Sequence, residues 1–276
     1  MVIQVLKLLF IYSLTLLNAN QSEINLKDCH ANSSEELSEV DLRLHVYLEG
    51  AYNASAGSMH NKLNKLGYLP GQKPKTFFSK KTTAGQPYRN APWKYQGNQG
   101  VVKKNEIYDY DKDVVDWLLI SIRENENSSS TVYRAPAHLY KDGSIKIINT
   151  QKCTIKPDET YYIVIEHRNH LPVMSKSQLK LQDGIIQYDF RSQEAFLEGQ
   201  KEIADGLFAM IAGNANVTND VITKVSIDEE DLKSWESSNG LNSSYFIQDV
   251  DLSGDVSIKD KEILFKNLGL FSTVPQ

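Results

Sequence analysis

The sequence predicts a mainly β chain, an antiparallel β-sandwich with a smaller helical module behind it. Short β-branched and aromatic runs recur between residues 42 and 190 with turn residues between them, while helical spacing of apolar residues begins only after residue 194. The charge is lopsided in the same way. Residues 201–276 hold 13 acidic and 6 basic residues, whereas the whole chain of 276 residues sums to only −5. The length suits one large domain and one small one. A near-neutral body with an acidic tail lacks the basic footprint that a nucleic-acid binder needs. With 41% hydrophobic residues the chain can bury a core.

Residues 1–19 read as a signal peptide. Lys7 precedes an apolar run over 8–17, and Asn18-Ala19-Asn20 offers cleavage after Ala19. The run is about 10 residues, against the roughly 20 that span a bilayer, so the expectation is an exported chain without a transmembrane segment. Residues 20–41 are a polar lead-in. The stretch 42–48 alternates and then turns aromatic, as a strand does. Residues 50–105 lack periodicity and read as a long ordered loop, with one helical turn near 59–66. Strands follow at 114–122, 132–140, 144–148, 161–167 and 185–190. Ser128–Ser130, Asp142-Gly143, Pro157-Asp158 and Asp183-Gly184 mark turns between them. Strands without interleaved helices argue a sandwich of the immunoglobulin or fibronectin kind over 42–195. Helical spacing over 194–211 and 258–268 assigns 196–276 to a second module.

The clearest chemical motif is the stretch 249–260. On a 12-residue calcium loop, Asp249, Asp251 and Ser253 fall at positions 1, 3 and 5, and Gly254 at the sharp turn of position 6. Asp255 at position 7 offers its carbonyl, Ser257 stands at 9 and Asp260 at 12. Calcium is a hard cation that takes 6–8 oxygen ligands, and this spacing turns oxygens inward. Val256 at position 8 is the residue that pairs with an equivalent loop. Position 12 departs from the EF-hand, where a bidentate Glu is usual; Asp there is what dockerin-type loops use. A weaker upstream loop has Asn214, Asn216 and Thr218 at positions 1, 3 and 5, with Asp228, Glu229 or Asp231 to close it; Glu229 is the closing ligand taken here. The alternating Asp109, Asp111 and Asp113 lack the glycine and read as an acidic start to the next strand.

Several segments resemble a module of secreted bacterial surface proteins, adhesin- or hemagglutinin-like and common in the Bacteroidota. They are Val46-Tyr47-Leu48-Glu49-Gly50-Ala51-Tyr52-Asn53, Pro87-Tyr88, Pro92-Trp93, the strand 114–119, Asp142-Gly143, Tyr161-Tyr162, His167-Arg168-Asn169-His170-Leu171, Ala212-Gly213-Asn214-Ala215-Asn216 and Phe271-Ser272-Thr273-Val274-Pro275. The resemblance spans roughly 45–275. It implies a β-sandwich followed by a dockerin-like, EF-hand-like paired calcium module, and no known reaction. The usual Gly-Asp after the second Asn is here Val217-Thr218, which sets the first loop apart from the family.

His167 and His170, three apart at a strand end, point to different faces and read as a polar cluster fixing the next loop; His138 reads as a packed histidine. There is no nucleophile elbow, zinc-protease motif, phosphate loop or catalytic-cysteine signature. The expectation is therefore a secreted, non-catalytic, calcium-binding surface or adhesion protein, with a surface glycan or a protein as partner. Between Glu49 and Glu106 there are ten basic residues and no acidic one, with aromatics interleaved. Tyr88, Trp93 and Tyr95 there read either as a face for anionic glycans or as rings pinning a Lys-solvated loop. The alternative function is thus a carbohydrate-binding or dockerin-type attachment module serving polysaccharide degradation. Cys29 and Cys153 are an even pair in an oxidising compartment, read as a disulfide or as two separate thiols.

Overall fold

The stretches 114–123 and 160–166 are rich in β-branched and aromatic residues, whose side chains fit a pleated, covered surface. In chain order, β1 is Asp41–His45, β2 Val114–Arg123, β3 Thr131–Tyr140, β4 Ile145–Ile147, β5 Thr160–Glu166, β6 Val173–Met174, β7 Ile185–Asp189, β8 Lys201–Ala204 and β9 Leu207–Ala209. The helices are α1 Lys62–Leu66, α2 Glu229–Ser238 and α3 Ile258–Asn267. The computed structural model describes residues 38–74, 82–148, 153–216 and 225–276. The leader, Cys29 and Thr218 lie outside the described residues.

The main sheet is antiparallel, in the order β6-β5-β2-β3-β4, with Leu179–Lys180 also paired to β5. All ten residues of β2 are buried, as befits a central strand covered on both faces. The β3–β4 hairpin turns on Asp142-Gly143. Gly143 sits at φ 87, and the Asp142 carboxylate accepts from the Ser144 N–H at 2.9 Å. One pairing departs from the antiparallel expectation: β1 and β7 run parallel, from Asp41↔Ile185 to Asp189↔His45. Parallel partners need a long crossover, and the intervening sheet supplies it. Leu44 and Leu48, with Ile186 and Phe190, share one core with Val115, Trp117 and Leu119 of the main sheet.

The described parts of the stretch 50–105 pack on this core through Leu63, Leu69, Tyr88 and Tyr95. The expected helical turn is α1, closed by Gly67 at φ 79. Tyr88 donates its hydroxyl to the Trp117 carbonyl at 2.7 Å, and Trp117 Nε1 donates to the Tyr110 hydroxyl at 2.6 Å. The Trp117 ring meets His138 edge-on at 4.4 Å. His138 is the packed histidine expected, and burial pushes its pKa down to about 4.

The helix expected over 194–211 is not formed. Phe196–Glu198 makes one 3-10 turn, and β8 and β9 then form a hairpin through Asp205-Gly206, with Gly206 at φ 65. Lys201-Glu202-Ile203-Ala204 alternates, and a left-handed glycine in the middle of the stretch breaks any continuous helix.

Beyond residue 211 a smaller apolar cluster gathers Leu171, Ile211, Ile227, Trp235, Val250, Val256 and Leu264 between α2 and α3. The last residues return to the sheet. Ser272 Oγ donates to the Pro172 carbonyl at 3.2 Å, Val274 is buried against Val164 and Met174, and Arg123 Nη1 donates to the Pro275 carbonyl at 2.7 Å. Among the described residues no helix is long and apolar enough to cross a membrane.

Candidate metal centre

The segment 249–260 wraps three carboxylates around one point. One oxygen from each of Asp249, Asp251 and Asp260 lies within 4.8 Å of the others, and all three residues are buried. Local chemistry holds them there. Asp249 accepts from the Ser253 and Gly254 N–H groups, both at 2.8 Å, and Asp251 accepts from Ser253 N–H at 3.0 Å. Asp260 is the third residue of α3 and completes a capping box with Ser257, accepting the Ser257 N–H at 2.8 Å. Its other oxygen takes the Asp251 N–H at 3.0 Å. Gly254 turns at φ 95, and a Cβ there would lie 2.7 Å from the Tyr68 ring.

The remaining expected ligands divide. Ser253 Oγ lies 3.4 Å from Asp249 Oδ1 and 3.3 Å from the Asp255 carbonyl, so that hydroxyl and that carbonyl border the cluster. The Asp255 carboxylate faces away and accepts from Ser243 N–H at 3.2 Å. Ser257 serves as the N-cap of α3, and its Oγ also donates to Asp260 Oδ2 at 3.1 Å, so it borders the cluster through Asp260. Burial raises the Asp249 carboxyl well above its usual range; Arg168 opposes this, and Asp260 and Asp251 add to it. Burial and Asp251 also raise Asp260. Three carboxylates, a hydroxyl and a carbonyl are hard oxygen donors whose mutual repulsion a divalent cation would relieve.

The upstream half repeats this scaffold with different chemistry. Asp228 caps α2, and Asp231 completes its capping box, accepting Asp228 N–H at 2.8 Å and Asn216 N–H at 2.7 Å. Asp231 thus holds the place of Asp260. Glu229, the expected ligand, is instead the exposed first residue of α2, pointing away. Asn214 is buried and Asn216 contributes its backbone N–H. Each half then pairs with the segment following the other half's helix. Val256 donates to Leu241 O and accepts from Gly240 N–H, at 2.8 and 2.9 Å. Ile227 donates to Leu270 O and accepts from Gly269 N–H, both at 2.8 Å. Val256 therefore pairs through its backbone with Gly240 and Leu241, and meets the counterpart loop's Ile227 and Ala215 in a shared apolar cluster. The offset of 29 from Asp231 to Asp260 recurs from Gly240 to Gly269 and from Leu241 to Leu270, so the duplication was visible in the sequence.

A buried polar chain joins the loop to the sheet. Asp116 Oδ2 accepts from Arg168 Nε at 3.0 Å and lies 3.2 Å from His167 Nε2; its Oδ1 accepts from the Tyr245 hydroxyl at 2.6 Å. Burial alone would raise this carboxyl, but Arg168 and His167 outweigh it and hold the pKa at about 2. The two histidines were expected on different faces. The chain turns after β5, and their Nδ1 atoms come within 3.0 Å. Gly50 N–H lies 3.3 Å from His170 Nε2, which makes that nitrogen an acceptor. The His170 proton is then on Nδ1, which lies 2.9 Å from Asn169 Oδ1 and 3.0 Å from His167 Nδ1, two acceptors that share it, and His167 Nε2–H points at Asp116. Burial lowers the pKa of both rings, which suits these neutral tautomers. Arg168 Nη1 donates to the Phe246 carbonyl, and Asn169 Nδ2 donates to the Ile247 and Asp249 carbonyls at 2.9 and 2.8 Å. Gly50 is pressed against the same segment: a Cβ would lie 1.8 Å from Val250 O. Leu252, at φ 56, is buried in the main core. Long-range pairing produced this network, and no local motif announces it.

The glycan candidates fall differently. Tyr88 is fully buried and Tyr95 nearly so, and Trp93 meets Tyr88 edge-on at 5.1 Å. Arg134 Nη1 holds the Trp93 carbonyl at 2.9 Å. Tyr88 and Tyr95 pin the loop to the sheet and offer a sugar no free face. Cys153 is buried, and its expected partner Cys29 lies outside the described residues.

No protein-family model and no curated protein matches the chain. Among solved structures it is similar to a chain of a type II cohesin–X–dockerin complex from Acetivibrio cellulolyticus carrying an N-terminal interface mutation in the complex. The identity is 15% and the TM-score 0.33, over 57% of this chain and 82% of that one.

Proposed function

We propose that this is a secreted, non-catalytic calcium-binding protein of the cell-surface or adhesion type, in which calcium at residues 249–260 stabilises the C-terminal half. The convergence of Asp249, Asp251 and Asp260 carries the reading, since three buried carboxylates without a cation repel one another. Ser253 and the Asp255 carbonyl complete the protein's share of the oxygens, and water fills the rest. The buried Asp–His–Arg groups are consumed in gripping the 245–250 segment, which favours a binding role. Saturation at 100 times the dissociation constant adds about 2.7 kcal/mol if only the folded state binds. Melting with calcium and with EDTA, alongside titration calorimetry, tests this. The expected result is a higher midpoint in calcium and a single site lost in Asp260→Asn. An unchanged midpoint with no calcium heat would sink the proposal.

A further inference from the structure

Away from the candidate metal centre, Lys201, Glu49 and Asn267 meet at the junction of β8, the turn after β1 and the last residue of α3. Asn267 is fully buried, and the Glu49 and Lys201 side chains keep 14% and 32% of their exposure. The carboxamide is held on both sides. Its Nδ2 donates to Glu49 Oε2 and to the Ala212 carbonyl, each at 2.7 Å, and its Oδ1 accepts from Lys201 Nζ at 2.7 Å. Lys201 Nζ also donates to Glu49 Oε1, while Ala212 N–H holds Glu49 Oε2 at 3.1 Å. One carboxylate therefore has an oxygen on each nitrogen, and the amine lies against the carboxamide of Asn267.

We infer that Lys201 and Asn267 join in an intramolecular isopeptide bond, with Glu49 carrying the protons. An ordinary ion pair needs no buried carboxamide fixed at both ends. A pair poised to react does: the 2.7 Å contact of Nζ with Oδ1 holds the amine beside the carboxamide carbon and removes the entropy cost of the two groups finding one another. Glu49 Oε1 takes a proton from the lysine ammonium, and the freed lone pair on Nζ attacks Asn267 Cγ. The Nζ–Cγ bond forms as the carbonyl electron pair moves onto Oδ1. That pair then returns and the Cγ–Nδ2 bond breaks. Two protons leave the original ammonium by way of Glu49 and end on the departing nitrogen. The sum is an ammonium and a carboxamide giving a secondary amide and an ammonium ion, with no change of oxidation state and no cofactor. A recess lined by Glu198, Ile211, Lys266 and Phe271 adjoins both reacting residues and lets the ion out. The link spans 66 positions and encloses α2, the loop 249–260 and α3. The tail then stays attached to β8 whether or not the loop holds a cation.

Intact-mass spectrometry of the purified, folded full chain tests this. The expected mass is one ammonia below that of the sequence, or of its leader-cleaved form, with one branched tryptic species joining Lys201 to Asn267. Glu49→Gln and Lys201→Met should each show the unreduced mass and a lower melting midpoint, with circular dichroism confirming their fold. The unreduced mass in the folded wild-type chain would overturn the bond. A full cross-link in Glu49→Gln would overturn the role of Glu49. The wild-type measurement decides even if a variant fails to fold.

Discussion

Asp231 and Asp260 hold the same place in two halves of one tail, the third residue of a helix, and each accepts the N–H of its own N-cap and of a residue in the preceding loop. Their neighbours differ. Asp260 faces Asp249 and Asp251, whereas the positions opposite Asp231 are Asn214 and Asn216. One half gathers charge that a cation can neutralise. The other holds its turn with a single carboxylate and backbone N–H groups. The scaffold of capped helix and exchanged backbone pairs therefore does not itself demand a metal, and the number of carboxylates at its centre sets that demand. The sheet grips the charged half, through Arg168 and Asn169 on the 246–249 carbonyls.

The largest test of this contrast removes that grip. Arg168→Ala strands Asp116 as a buried carboxylate with fewer partners, and breaking such a pair costs about 3–5 kcal/mol. Urea unfolding should show a loss of that order together with weakened calcium affinity, because the loop is anchored at the same point. A loss of stability with unchanged affinity would mean that the charged half shapes itself. Next come the caps. Asp228→Ala and Ser257→Ala should each cost about 1 kcal/mol in EDTA, by the usual worth of an N-cap. Unequal losses in EDTA would break the equivalence of the halves. A third test is on pH. Burial raises the Asp231 carboxyl to about 6, against the N–H groups of Asp228 and Asn216 that lower it. A folded pKa above the unfolded 3.8 means that the folded state binds more protons between those values. The contribution of this group to stability falls as pH rises from about 4 to about 6 and is flat above. Asp231→Asn should flatten that part of a denaturation–pH series, and an unaltered slope would place the titration elsewhere.

What could be read from the sequence follows how local each interaction is. The ligand spacing of 249–260 lies within one loop, so residue order alone located Asp249, Asp251 and Asp260. The central strand of the main sheet was legible because burial on both faces demands a largely apolar stretch, and 114–122 is apolar except at Asp116 and Ser121. The upstream half was harder: residues 217–224 displace its ligand spacing, so Glu229 was chosen where Asp231 stands, although the offset of 29 would have found it. Tyr88 and Tyr95 read either as a sugar platform or as rings pinning the loop, because composition does not reveal which face of a ring is covered; their burial favours the pins. Asp116 with His167, or Glu49 with Lys201 and Asn267, lie 51, 152 and 218 positions apart, and only the topology brings them together. The helix expected over 194–211 failed for a local reason, since the hairpin turn at Gly206 outranked a chance apolar spacing.

The seating of Val274 against Val164 and Met174, with Arg123 on the Pro275 carbonyl, has a mechanical consequence. Tension applied at the last residues enters the central strands β2 and β5 before it reaches α2 or α3. Those strands are hydrogen-bonded to one another, and the loop at 249–260 is shielded from the pull until the anchor at 272–275 gives way.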